Sequence, residues 1–213
     1  MLPTLDNHDP RIRYVPLRME RSKDDLPSHS LPEGFSFRFY REGDRDLWIE
    51  IEKSAREFDT FEEGVTAWQR YYGGREAELG ERMLFLMDAT DREIGTATAF
   101  YDVPDGDPSG DGWLHWVAIR REAQGQGLAK PLVARALQRL NELGYRRFIV
   151  PTQTTTWVAC KVYLDLGFRP TQESARENGL GWRIVRRLTD HPALHAFPPA
   201  SEEEVLVQGG ADV

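Results

Sequence analysis

Apolar positions along the chain switch repeatedly between a period of two and a period of about three and a half, and the switches mark the elements. Phe35, Phe37 and Phe39 alternate with Ser36, Arg38 and Tyr40, which predicts a half-buried strand. Leu47, Trp48, Ile51 and Ala55 then lie on one helical stripe, with Asp44 placed to cap it. A second helix is predicted over Glu62–Tyr72, stopped by Gly73-Gly74. Met83–Asp88 and Glu93–Tyr101 predict a hairpin around Ala89–Arg92, followed by a loop from Asp102 to Gly112. Trp113–Ile119 predicts a strand, and Leu128, Leu132, Val133, Ala136, Leu137, Leu140 and Leu143 a long amphipathic helix. Arg147–Thr152 is the next strand. A helix of that length between two strands predicts a right-handed parallel crossover. Trp157–Leu166 predicts a short helix ended by Gly167, and Phe168–Thr171 with Trp182–Leu188 a final strand pair.

The ends read differently. Residues 1–32 are rich in Pro, Asp and Arg and predict an arm, in which Arg13–Met19 can form only a short edge strand because of Pro16. Residues 33–189 form the expected domain. Residues 190–213 turn to Pro, His and Glu and predict a flexible, loosely docked tail. A length of 213 residues with 40 % hydrophobic residues predicts one domain with extensions. The single cysteine, Cys160, excludes an internal disulfide framework and fits a reducing compartment. The longest apolar run, Met83–Met87, is strand-sized, and the N-terminus carries no secretory pattern; the expectation is a cytoplasmic protein with no membrane partner. A net charge of −8 argues against phosphate-driven nucleic-acid binding and is compatible with a cationic small substrate.

The most informative stretch is Gln124-Gly125-Gln126-Gly127-Leu128-Ala129, between the Trp113–Ile119 strand and the long helix. Glycines let backbone approach a ligand closely. The first N–H groups of a helix have no internal partner and carry positive partial charge, so this junction is an anion site suited to phosphate. A plain tight turn before a helix would look similar. Pro131 is tolerated only in a first helical turn, which places the glycines at the helix start. Lys130 stands where a dinucleotide fingerprint needs Gly or Ala, and no Gly-Lys-Ser/Thr follows for a Walker loop.

With this element order, Gln124-x-x-Gly127-x-Ala129 resembles the Gln/Arg-x-x-Gly-x-Gly/Ala turn of the GNAT superfamily of acyl-CoA-dependent N-acyltransferases. Ala159, Tyr163, Gly167 and Phe168 match a second motif of that superfamily, Asn-x-x-Ala-x-x-x-Tyr-x-x-x-Gly-Phe, with Thr156 in place of the Asn. The resemblance covers about Phe35–Leu188. It implies an α/β (α+β) fold: a mixed, largely antiparallel sheet with central splayed parallel strands, flanked by helices. It also implies acetyl-CoA as acyl donor, no metal, and an acceptor that is a primary amine of a small molecule or peptide. A homodimer is left open, as are a different acyl-CoA and a non-catalytic module that only binds acyl-CoA.

The resemblance also implies roles. Backbone N–H groups of Gly125, Gln126, Gly127, Leu128 and Ala129, flanked by Gln124 and Lys130, would hold the pyrophosphate. The strand backbone at Val117, Ala118 and Ile119 would position the pantetheine arm, and the Val117 N–H would stabilise the oxyanion. Tyr163 matches the family's general acid, with an unperturbed pKa suited to a thiolate leaving group. His115 is the candidate base. It shares strand parity with Val117 and Ile119 and is expected to face with them, although a core histidine stacked between Trp113 and Trp116 fits the sequence equally well. Asp111, or a water chain from Glu50, is the fallback base. Thr156 can make only part of the contacts of an amide, and Cys160 reads as a small buried residue rather than a nucleophile. The aromatics of the first two helices fall where the superfamily builds its acceptor pocket.

Overall fold

A computed structural model of the chain describes residues 2–102 and 110–207. Among these residues are seven strands: β1 (Pro16–Ser22), β2 (Ser36–Phe39), β3 (Met83–Met87), β4 (Glu93–Tyr101), β5 (Gly112–Ile119), β6 (Arg147–Gln153) and β7 (Arg169–Pro170). Eight α-helices accompany them: α1 (Arg45–Ser54), α2 (Phe61–Tyr72), α3 (Glu76–Arg82), α4 (Ala129–Glu142), α5 (Trp157–Asp165), α6 (Gln172–Glu177), α7 (Gly179–Thr189) and α8 (Glu202–Val205). The fold is mixed α/β, mostly antiparallel with one parallel pair, flanked by helices. The chain divides into two compact units, Ser22–Phe148 and Met1–Arg21 with Ile149–Val213.

In the unit Ser22–Phe148, strands β2, β3, β4 and β5 run antiparallel in that order. β3 is buried along its whole length, as its unbroken apolar run requires. β2 is the outer of the four, and its Arg38 ion-pairs with Asp44 and Glu93. Asp44 therefore does not cap α1 with its side chain. Its carboxylate accepts from Arg38 and from the Arg41 N–H. The cap appears on α2 instead, where the Thr60 hydroxyl accepts from the Glu63 N–H and Glu63 reaches back to the Thr60 N–H. The short helix α3 was not predicted; its Gly80 and seven-residue length leave little apolar periodicity to read. Most of the expected 102–112 loop lies outside the described residues.

The other unit departs most from expectation. Trp182–Leu188 is not a strand but the middle of α7, which buries Trp182, Ile184 and Val185. β1 explains why. It lies between β6 and β7 and pairs antiparallel with β7, Met19 against Pro170 and Glu20 against Arg169. The N-terminal segment thus holds the place next to β7 that Trp182–Leu188 was expected to fill. Nor is β1 an edge strand: Pro16 is its first residue, where a missing N–H removes little from the ladder. Residues 191–207, expected as a loose tail, are packed. Leu194, Ala200 and Val205 are buried, and Ala200 and Val205 join Ile12 and Ile184 in one apolar cluster. Arg183 holds Glu204 by two hydrogen bonds of 2.8 and 2.9 Å. An isolated bridge joins Ile12 to Leu206.

Candidate active site

The turn before α4 has the conformation its glycines predict. Gly125 and Gly127 both adopt left-handed backbone, with φ of +78° and +77°, and a Cβ at either would meet nothing within 4 Å. Glycine is required here for conformation rather than for room. Gly125, Gln126 and Gly127 are exposed, whereas Leu128 is buried and anchors the helix start. α4 begins at Ala129 with Pro131 in its first turn, has no side-chain cap and carries no acidic residue there. Its first amides therefore point their positive partial charge outward, uncompensated by a carboxylate of that turn. Gln124 turns toward the protein: its amide donates to the Ile119 carbonyl at 2.9 Å, tying the turn to the end of β5.

β5 itself is interrupted. Thr98 pairs with His115, whereas Thr96 pairs with Ala118, so Ala97 stands opposite two residues, Trp116 and Val117. This is a β-bulge, and it takes part of the Trp116–Val117 backbone out of the ladder. It also overturns the parity expected of the strand. Directly paired residues share a face, so His115 faces with Ala118, Thr98 and Thr96, not with Ile119. No glycine announces the bulge. Trp116 occupies it with φ of +48°, a conformation that costs a bulky residue about 1–3 kcal/mol.

His115 is buried among the rings of Tyr71, Phe100 and Trp113, at centroid distances of 5.7, 5.9 and 6.0 Å. Its Nδ1 is buried without a hydrogen-bond partner. Burial lowers its pKa to about 4, so the imidazole is neutral at pH 7. Of the expected ring partners, Trp113 is there and Trp116 is not: the Trp116 ring, at the bulge, packs against Trp48, Phe58 and Tyr71 instead.

Of the fallback bases, Asp111 accepts from Arg147 at 2.8 Å, and Glu50 is exposed. The carboxyl group that does turn inward on α1 is Glu52, which is fully buried, with neither oxygen hydrogen-bonded. Sequence reading passed over it, although its place one turn after Trp48, beside Ile51 on the buried stripe, was the available signal.

In the other unit, Tyr163 is buried on α5, its ring 5.9 Å from that of Phe168. Gly167, with φ of +91°, ends this helix as expected. The Thr156 hydroxyl donates to the Gln153 carbonyl at 3.1 Å and lies 3.4 Å from the Thr152 hydroxyl. Cys160 is buried beside Thr152, and burial pushes its thiol up to about 12, which leaves almost no thiolate at neutral pH. Among the described residues no group of three or more His, Cys, Asp or Glu could hold a metal ion, and no helix is long and apolar enough to cross a membrane.

The Acetyltransferase (GNAT) family matches residues 45–168, more than half of the 213-residue chain. A mycothiol acetyltransferase of Pseudarthrobacter chlorophenolicus is 28 % identical over 175 residues, covering 74 % of this chain and 51 % of that protein. One of Geodermatophilus obscurus is 30 % identical over 149 residues, covering 68 % and 48 %. The chain spans about half the length of these curated relatives. Among solved structures, a GCN5-related N-acetyltransferase of Sphaerobacter thermophilus superposes with a TM-score of 0.59 at 22 % identity, over 76 % of this chain and 49 % of that one. A GNAT-family acetyltransferase of Colwellia psychrerythraea gives 0.57 at 12 % identity, over 75 % and 54 %. Those structures share the fold, and the family match places the chain by sequence: it belongs to the GNAT family of acetyltransferases.

Proposed function

We propose that the chain is an N-acetyltransferase that moves an acetyl group from acetyl-CoA to a primary amine by direct attack. The observation that carries this reading is the junction of β5 and α4: a bulged strand, two left-handed glycines and an uncapped helix start, in a chain of this family. The amides of residues 125–129 receive the pyrophosphate of the donor, and the backbone of residues 117–119 aligns its pantetheine arm.

In the reaction the neutral amine nitrogen attacks the thioester carbonyl carbon. The developing oxyanion is stabilised by the Val117 N–H at the bulge. The C–S bond then breaks, and the thiolate takes a proton from the Tyr163 hydroxyl. The proton lost by the attacking nitrogen passes to His115, which is neutral and able to receive it. With a pKa of about 4 the imidazole passes the proton on rather than storing it. Cys160 takes no part, since its thiol is buried and protonated.

The test is thiol release from acetyl-CoA across a panel of primary amines. Wild-type protein is expected to release thiol with at least one of them, and Tyr163→Phe to lower kcat about 100-fold, the usual scale of a lost general acid. Tight acetyl-CoA binding without turnover on any amine, and no effect of Tyr163→Phe, would instead identify a module that binds the thioester and transfers nothing.

A further inference from the structure

The unpartnered polar groups of the unit Ser22–Phe148 gather on one side of its sheet. Thr96 and Thr98 share a face of β4, and His115 stands opposite Thr98 on that face. The two threonine hydroxyls, the Tyr72 phenol, Trp48 Nε1, His115 Nδ1 and both carboxyl oxygens of Glu52 are all buried with no hydrogen-bond partner. α1, which presents Trp48 and Glu52 one turn apart, packs on β4, β5 and α2. Thr98 and Glu52 both lie close enough to Tyr72 to influence its ionisation, although the Thr98 contact lacks hydrogen-bond geometry.

Aromatic rings gather around Trp48 on this unit. Trp48 sits 5.3 Å from Trp68 and from Trp116, and 5.7 Å from Tyr72. Trp48, Trp68 and Tyr72 are buried, whereas Phe58, Tyr71 and Trp116 are half-buried. The Trp116 ring lies 5.3 Å from Phe58 and 5.2 Å from Tyr71. Trp116 is also held in left-handed backbone.

A chain that needed only packing at position 52 would do better with an apolar side chain, since a buried carboxyl group without partners is costly in either protonation state. What complements it is a compact cation with several N–H donors, and aromatic walls favour the same ligand. An anion would meet Glu52, with Glu57 close by. We propose that this aromatic box is the subsite for the acceptor's ammonium group, with Glu52 as its counter-ion. The acceptor is then a primary amine with no carboxylate beside the nitrogen, and free α-amino acids are refused. This deepens the transferase reading and rests on it.

Proton affinities inside the box support the assignment. Burial raises Glu52 well above the usual carboxyl range and lowers His115 to about 4, so the carboxyl group is the stronger base of the two. The titratable groups around Glu52 are Tyr72 of α2, Glu57 beyond α1, and Tyr71 and His115 further along; none of the four is cationic at neutral pH. Glu52 meets the ammonium ion as a carboxylate, and any proton that burial holds on it in the free protein goes to solvent. Transfer of one ammonium proton to the carboxylate then leaves a neutral amine beside a neutral acid, ready for attack.

The test is titration of tryptophan fluorescence with 2-phenylethylamine, 2-phenylethanol and phenylalanine. The amine is expected to bind at least tenfold more tightly than the alcohol or the amino acid. Glu52→Gln should bring the amine to the level of the alcohol while leaving acetyl-CoA affinity unchanged. Calorimetry of wild-type protein in buffers of different ionisation enthalpy needs no variant, and should report more proton release with the amine than with the alcohol. Equal binding of amine and alcohol without proton release, or an amine preference that survives Glu52→Gln, would overturn the proposal. Thiol release is followed on the same samples. Preference without turnover removes the transferase reading and leaves the subsite. Turnover by Glu52→Gln equal to wild type at low amine concentration removes the subsite and leaves the transferase.

Discussion

The glycine turn before α4 and the aromatic box around Trp48 belong to the same compact unit and are built on opposite principles. The turn is backbone: exposed, uncapped, and specified by the two left-handed φ values of Gly125 and Gly127. The box is side chain: largely buried, assembled from α1, α2, β4 and β5, and lined with polar atoms that have no partner. A backbone site binds what any helix N-terminus binds, so it suits a fixed anionic donor. A side-chain site can be tuned position by position, so it suits the partner that varies. The difference predicts that damage at the two places separates cleanly in kinetics.

Four changes would break or sharpen that separation. The largest effect is expected from Gly125→Val with Gly127→Val, which forces two β-branched residues into left-handed backbone at about 1–2 kcal/mol each. KM for acetyl-CoA should rise about 10- to 100-fold, with amine KM within about twofold of wild type. Trp116→Leu keeps apolar volume but removes an aromatic face. A loss of about 1 kcal/mol of cation–π attraction would raise amine KM about fivefold and leave acetyl-CoA KM unchanged.

The third is a stability profile. The folded state holds the Glu52 proton above the pH at which the unfolded chain releases it. Wild-type stability should therefore fall as pH rises from the ordinary carboxyl range through the raised folded value. His115 acts in the other direction: folding lowers it from 6.5 to about 4, so its contribution is present above pH 6.5 and is lost as pH falls toward 4. Glu52→Gln should flatten the alkaline limb alone, and each 1 kcal/mol recovered would raise the thermal midpoint about 2–4 °C. The smallest effect is expected at Cys160. With its thiol pushed up to about 12 and fully buried, it should resist iodoacetamide at pH 8 in the native protein, and Cys160→Ala should keep the transfer rate within about twofold.

How far each region could be read from sequence follows from the same contrast. The turn was legible because its information is local: a few adjacent residues fix the φ values, and Pro131 fixes the helix start. Most strands and helices of this unit were legible for the same reason, as unbroken β3 shows. The bulge was not, because Trp116 and Val117 carry no glycine or proline to mark it. Its absence from the reading put His115 on the wrong face. Glu52 was missed because a carboxylate on an apolar stripe looks like a helix residue until the partners around it are known to be missing. In the other unit, the apolar spacing of Trp182, Ile184, Val185 and Leu188 fits either period. What decides between them is β1, more than 150 residues earlier, pairing with β7. The apolar cluster that docks residues 191–207 likewise depends on Ile12. Long-range pairing of this kind leaves no local mark.

The most direct test of donor handling by backbone and acceptor handling by the box is a crossed kinetic measurement. KM for acetyl-CoA and KM for one accepted amine are determined in wild type, in Gly125→Val/Gly127→Val and in Glu52→Gln. The predicted result is a crossover, the glycine variant raising only the acetyl-CoA KM and Glu52→Gln only the amine KM, each about tenfold or more. Both constants rising together in both variants would contradict it.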